Sequence, residues 1–113
     1  MFSQKLKEEY GSLKKEHPEC ILLMQVGVFM KVLDGDARVL SAAAGLKLQM
    51  AGDPDDPVVV GGFPKSGLDK YVGSLVRASH SVAIAFQDES KKRKVEEIIR
   101  IRSDNSAGKN GKV

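Results

Sequence analysis

The chain has 113 residues, 42% of them hydrophobic, which suits one domain with a modest single core and not two. Its 18 basic and 15 acidic side chains leave a net charge of +3, which permits attraction to nucleic acid but falls far short of a histone-like binder. The opening MFSQKLKEEYG has no signal-peptide core, and no stretch reaches the roughly 18 apolar residues of a membrane span. The expectation is a soluble, cytoplasmic protein with no membrane contact.

Phe2, Leu6, Tyr10 and Leu13 recur at helical spacing among lysines and glutamates until His17-Pro18 breaks the pattern, which predicts an amphipathic opening helix. The run from Cys20 to Leu33 is rich in Val, Ile, Leu and Phe and is interrupted by Gly27, so it reads as two strands or one bent strand. Cys20 is the only cysteine, which excludes an internal disulfide, and its apolar neighbours mark it as a core thiol rather than a nucleophile or ligand. Asp36 is placed to cap a short helix through Ala44, closed by Gly45, and residues 46 to 50 suit a further strand.

Residues 51 to 57, dense in turn formers and acidic, predict a solvated loop, after which Val58-Val59-Val60 re-enters the sheet. Ser66 followed by Asp69 resembles a capping box, and Leu68, Tyr71, Val72, Leu75 and Val76 form the stripe of a helix ending near His80. Val82 to Phe86 and Ile98 to Ile101 read as strands joined by a polar stretch from Gln87 to Glu97. The pattern is an α/β domain over residues 1–103, a mixed β-sheet flanked by about three helices, followed by a polar tail from 104 to 113 with too little apolar content to fold.

Strand alternation between Gln25 and Leu33 puts Val26, Val28, Met30 and Val32 on one face and Gln25, Gly27, Phe29 and Lys31 on the other. An aromatic beside a cation on a polar face suits stacking on a base with the ammonium near a phosphate. The competing reading is a face packed under a helix, as both faces of a covered sheet are. Lys91, Lys92, Arg93 and Lys94 form a basic cluster that either contacts phosphates or is a solvated hairpin tip. Glycines 61, 62 and 67 surround Pro64 and Lys65, where free amides would suit an anion, yet neither GxxxxGK[ST] nor GxGxxG occurs, which argues against a nucleotide pocket. His17 and His80 have no partner at metal-ligand spacing, and no Ser/His/Asp, Cys/His or paired-carboxylate set stands out. The reading is therefore a non-catalytic protein with no cofactor, no metal and no small-molecule substrate.

Taken together, two stretches resemble the N-terminal, mismatch-recognition domain of the MutS family. Val26 to Ala37 resembles the motif G-D-F-Y-E-x-F-x-x-D-A, with Gly27, Phe29, Asp36 and Ala37 matching. Gly62-Phe63-Pro64, Tyr71, Leu75, Val82-Ala83-Ile84 and Gln87 follow the family's G-V-P-x-H, Y, L and V-A-I-x-x-Q order and spacing. Tyr10 to Pro18 is similar to its opening helix, and Ile98 to Ile101 to its closing strand, so the likeness runs from about residue 6 to 103. The resemblance implies that Phe29 is a wedge that enters the duplex from the minor groove and stacks on a mispaired base, a step that costs unstacking energy and gains from the resulting kink.

Lys31 stands where the family motif has Glu, replacing an acceptor by a donor-only cation, which puts mismatch discrimination in question. Val28 replaces an Asp, and Ser66 stands where His is frequent. The resemblance stops before the family's connector, clamp and ATPase domains, so the expectation is a stand-alone, ATP-independent DNA-binding module of mismatch repair. Its DNA contacts would be Phe29, Lys31, Lys65, Ser66, Lys91, Lys92, Arg93 and Lys94. Binding by a lone wedge would be weak, needing self-association or a repair protein to hold it on DNA. The alternative is a protein-interaction module of the repair machinery that has lost DNA binding. A small nuclease rests only on fold analogy, which is not evidence of a site.

Overall fold

The computed structural model describes residues 3–101; Phe2, the boundary after residue 103 and the polar tail lie outside them. The elements run α1 (Gln4–Glu16), β1 (Ile21–Val26), β2 (Phe29–Leu33), α2 (Asp34–Ala44), β3 (Leu48–Asp53), β4 (Asp56–Pro64), α3 (Leu68–Arg77), β5 (Val82–Gln87) and β6 (Arg93–Ile99). One six-stranded sheet has the order β3-β4-β2-β1-β5-β6. Only the β1–β5 pairing is parallel, the others being antiparallel, so the mixed α/β sheet with three helices stands as expected.

β1 is covered on both faces over Ile21–Met24, which is why that stretch is continuously apolar rather than alternating. Ile21 and Leu23, with Met30, Val32, Val59, Phe63, Val82 and Ile84, pack under α2 and α3. Cys20, Leu22 and Met24, with Leu33, Val58, Val60, Ala83 and Ala85, pack under α1 through Tyr10 and Leu13. Burial and the neighbouring Glu19 carboxylate push the Cys20 thiol above its ordinary pKa, as suits a core thiol.

β2 is the shortest strand and leaves the sheet at Leu33, where Asp34 takes a φ of 50° and the chain turns into α2. Its departure leaves neighbouring backbone groups on β1 and β4 without a strand partner, and buried groups of that kind must be bonded. Asp34 Oδ1 accepts from Val59 N at 3.1 Å on one side of the gap, and Asp36 Oδ2 from Leu22 N at 2.9 Å on the other. The Tyr10 hydroxyl lies 2.6 Å from Leu22 O and 3.3 Å from Asp36 Oδ2, and its single proton goes to the nearer acceptor. Burial and the Asp36 charge hold the Tyr10 hydroxyl well above the ordinary tyrosine pKa. Lys14 Nζ closes the group with a 3.0 Å ion pair to Asp36 and a bond to Cys20 O.

Asp36 is therefore not the cap of α2. The N-cap is Leu33 with no side-chain bond, and the Asp36 carboxylate is drawn instead to an unpaired amide of the sheet. Gly45 closes the helix in the left-handed conformation at φ 72°, as its sequence position predicts. The capping box at Ser66 also does not form, because Lys65–Gly67 is a turn of 3-10 helix whose geometry leads into α3 without a side-chain cap. The acidic segment is narrower as a loop than expected: β3 runs to Asp53 and β4 starts at Asp56, leaving Pro54-Asp55 as a two-residue turn. Likewise β6 begins at Arg93, pairing with β5 through residues that look polar because one side of this edge strand faces solvent.

Replacing Asp36 by Ala leaves the Leu22 amide without its acceptor and the Lys14 ammonium without its counter-charge. The expected cost is about 3 kcal/mol, read as a lower denaturation midpoint in urea, with Asp36→Asn losing less because its carboxamide oxygen still accepts from Leu22 N.

Candidate nucleic-acid interface

The parallel pairing of β1 with β5 and the antiparallel pairing of β2 with β4 bring three chain segments to one end of the sheet. These are the β1–β2 turn, the end of β4 at Pro64, and the β5–β6 turn. Gly27 and Val28 form the first, with Gly27 at φ 64°, the sign that a two-residue hairpin turn asks of its first residue. Val28 stands at the tip, 72% exposed, and Phe29 beside it is 45% exposed. Phe29 pairs with Pro64, and Lys65 N donates to Val28 O at 2.8 Å, which ties Lys65 and Ser66 to the turn. That amide is thus occupied, and Gly61 and Gly62 lie within β4 rather than in an anion-receiving loop.

Phe29 and Lys31 share a face opposite Met30 and Val32, as alternation predicts, and that face is open at this end rather than packed under a helix. Gln25, however, does not join them. The turn at Gly27-Val28 reverses the chain, so Val26 opposes Phe29 and Gln25 opposes Met30, and residues directly opposite in an antiparallel pair lie on the same side. Val28 likewise belongs to no face of the strand. The single alternation drawn across residues 25 to 33 fails because it counts through a turn.

Lys31 Nζ lies 5.4 Å from the centroid of the Phe29 ring, and Lys65 Nζ 5.3 Å from that of Phe86, both within cation–π range. Gln25, Gly27, Val28, Phe29, Pro64, Lys65 and Ser66 line a shallow cleft of about 410 Å³ on one side of Phe29. In the β5–β6 turn the Asp88 carboxylate accepts from Ser90 Oγ at 2.7 Å and from the Ser90 and Lys92 amides at 2.9 Å, which holds its pKa below the ordinary aspartate value. Lys91, at φ 65°, and Lys92 are exposed on that turn. None of Lys31, Lys65, Lys91, Lys92 and Lys94 forms an ion pair among the described residues.

Arg93 differs from its neighbours in the basic cluster. Its side chain is 9% exposed, its Nη1 donates to Glu9 Oε1 at 2.8 Å, and its Nε donates to Gln25 O. Gln25 in turn donates to Gly27 O at 3.0 Å and accepts from Gln87 N at 2.8 Å. Arg93 and Gln25 together join α1, β6 and β5 to the turn that carries Phe29, a positioning role that residue type alone gave no sign of.

The sheet also separates charge. The β3–β4 turn with Asp53, Asp55 and Asp56 lies at the opposite end of β4, whose nine residues span roughly 30 Å.

The family model described as MutS domain I matches residues 4–108. The chain belongs to this family. It is 39% identical over 89 residues to the DNA mismatch repair protein MutS of Porphyromonas gingivalis, an alignment covering 78% of this chain and 10% of that protein. The corresponding protein of Salinibacter ruber is 38% identical over 86 residues, covering 74% and 9%. That of Methanothrix thermoacetophila is 33% identical over 90 residues, covering 78% and 10%. The chain thus spans about a tenth of the length of these relatives. In this MutS domain I fold, the first stretch of resemblance maps to the β1–β2 turn, β2 and the start of α2, and the second to the end of β4, α3 and β5.

Two outcomes follow from the charges at this end. Arg93→Ala should lower stability by roughly 2 kcal/mol by stranding Glu9 and the Gln25 carbonyl, whereas Lys91→Ala and Lys92→Ala should stay within about 0.5 kcal/mol of the parent in urea denaturation. Because the folded state depresses the Asp88 pKa, the turn keeps its order above the ordinary aspartate range and loses it as pH falls through the lowered value. Protection of the Ser90 and Lys92 amides, measured against their intrinsic exchange at each pH, should fall in that acid window, and Asp88→Asn should remove the dependence.

Proposed function

We propose that this domain is a non-catalytic, ATP-independent DNA-binding module that presents Phe29 as a wedge to duplex or distorted DNA. The observation that carries the reading is a half-exposed Phe29 beside a turn, flanked by lysines that form no ion pair among the described residues, in a chain of the MutS domain I family. An aromatic in that setting can stack on an unpaired or loosened base, and the cations around it meet the phosphates on either side. Lys31, Lys65, Ser66, Lys91, Lys92 and Lys94 are the proposed backbone contacts, each lysine adding affinity that falls with salt. Arg93, tied to Glu9 and Gln25, supports the turn instead.

Lys31 stands at the position where the family motif carries a carboxylate, so the hydrogen bond that would read a mispaired base has no acceptor here. The module therefore binds DNA with little choice between matched and mismatched duplexes. Its affinity alone is weak, and it works in the cytoplasm with a second copy or a repair protein holding it on DNA.

Binding titrations with matched, mismatched and looped duplexes at two salt concentrations test this. Phe29→Ala should weaken binding by about 1–3 kcal/mol, the worth of a stacked base, and Lys31→Glu should weaken binding to matched DNA more than to mismatched DNA. Absence of binding by the parent at low salt would sink the proposal in favour of a protein-interaction module, and equal binding by parent and Phe29→Ala would reject the wedge.

A further inference from the structure

Phe29 borders a second cleft on the side away from Lys65. β3 ends its pairing with β4 at Leu48–Gly61, so beyond Gly61 no strand among the described residues lies beside the β4 edge. The opening so formed, about 400 Å³, is lined by Phe29, Lys31, Lys47, Gln49, Gly62 and Tyr71, together with three apolar or glycine positions and no carboxylate. Lys31 and Lys47 have neither an ion pair nor a side-chain hydrogen bond among the described residues. Gly62, the cross-strand partner of Lys31, supplies the room: a Cβ there would stand 2.9 Å from Lys31 Nζ and 3.1 Å from its Cδ. The Lys31 side chain thus lies over a glycine with its ammonium 5.4 Å from the centroid of the Phe29 ring, and both residues line the cleft.

We propose that this cleft is a phosphate site, in which Lys31 and Lys47, with the Gln49 carboxamide and the Tyr71 hydroxyl as neutral donors, hold a phosphodiester of the DNA strand whose base stacks on Phe29. The inference rests on the DNA-binding reading above and deepens it. Phe29 lines both clefts, and each carries lysine, so one strand passes the ring with a phosphate on either side of the stacked nucleotide. Two lysines lining one cleft without a carboxylate give it positive charge, which a bound phosphate neutralises while its release of counterions drives association. Lys47 is the residue that decides the matter, since Lys31 already stands beside Phe29 for another reason.

The test measures duplex binding by the full chain across a salt series for the parent, Phe29→Ala, Lys47→Ala and Lys15→Ala, an exposed lysine on α1 at the far end of the sheet. Loss of one phosphate contact makes the slope of log Kobs against log[salt] shallower by about 0.9. Lys47→Ala should show that change with an unaltered melting temperature, Lys15→Ala should keep the parent slope, and Phe29→Ala should lose affinity at constant slope. A parent-like slope for Lys47→Ala alongside weakened binding by Phe29→Ala overturns the cleft and leaves the wedge standing. An equal slope change for Lys15→Ala overturns it as well, by making the effect one of general charge. A parent that binds no duplex at low salt overturns both readings together.

Discussion

The early departure of β2 from the sheet is the constraint around which this domain is arranged. A central strand five residues long between neighbours of six and nine leaves main-chain groups of β1 and β4 facing a gap, and a buried amide without a partner is expensive. The first residues of α2 answer it: Asp34 bonds Val59 N and Asp36 bonds Leu22 N, while Tyr10 from α1 bonds Leu22 O. One helix start thus plugs the sheet, and the same carboxylate draws Lys14 and so α1 onto the opposite face. The charge is buried for connection more than for net stabilisation, since a buried pair returns little beyond its desolvation cost.

At the other end β2 begins in a turn of two residues, and its shortness there is what makes a site. With only Gly27 and Val28 between the strands, Phe29 is forced to the first position of β2, where it stays 45% exposed. Support for the turn comes from elsewhere in the chain. Gln25 gathers bonds from Gln87 and Arg93, and Arg93 is anchored in turn by Glu9 on α1. The wedge role proposed for Phe29 requires a backbone that resists displacement, and this ring of contacts is suited to supply the resistance.

Charge follows topology in the same way. Lys31, Lys47, Lys65, Lys91, Lys92 and Lys94 are scattered over more than sixty residues of sequence, yet strand direction delivers them to one end, while the aspartates of the β3–β4 turn are carried to the other. The net charge of +3 says nothing of this distribution.

The sequence by itself determined the order of elements, the Cys20 core thiol, the Gly45 stop of α2 and the place of Phe29 and Lys31 on one face of β2, because each rests on local periodicity, apolar context or backbone preference. Its spaced motifs also identified the family. Tertiary structure alone decided the rest. Asp36 reads as a cap until a bare amide of β1 claims it, and Arg93 reads as one of four surface cations until Glu9 and Gln25 bury it. Gln25 falls on the wrong face when alternation is counted through a turn, and Lys47 gives no signal at all, since only the ending of β3 short of Gly62 brings it near Lys31. In each case the deciding partner is remote in sequence, and unmet hydrogen bonds and charges are settled by what lies nearby in space.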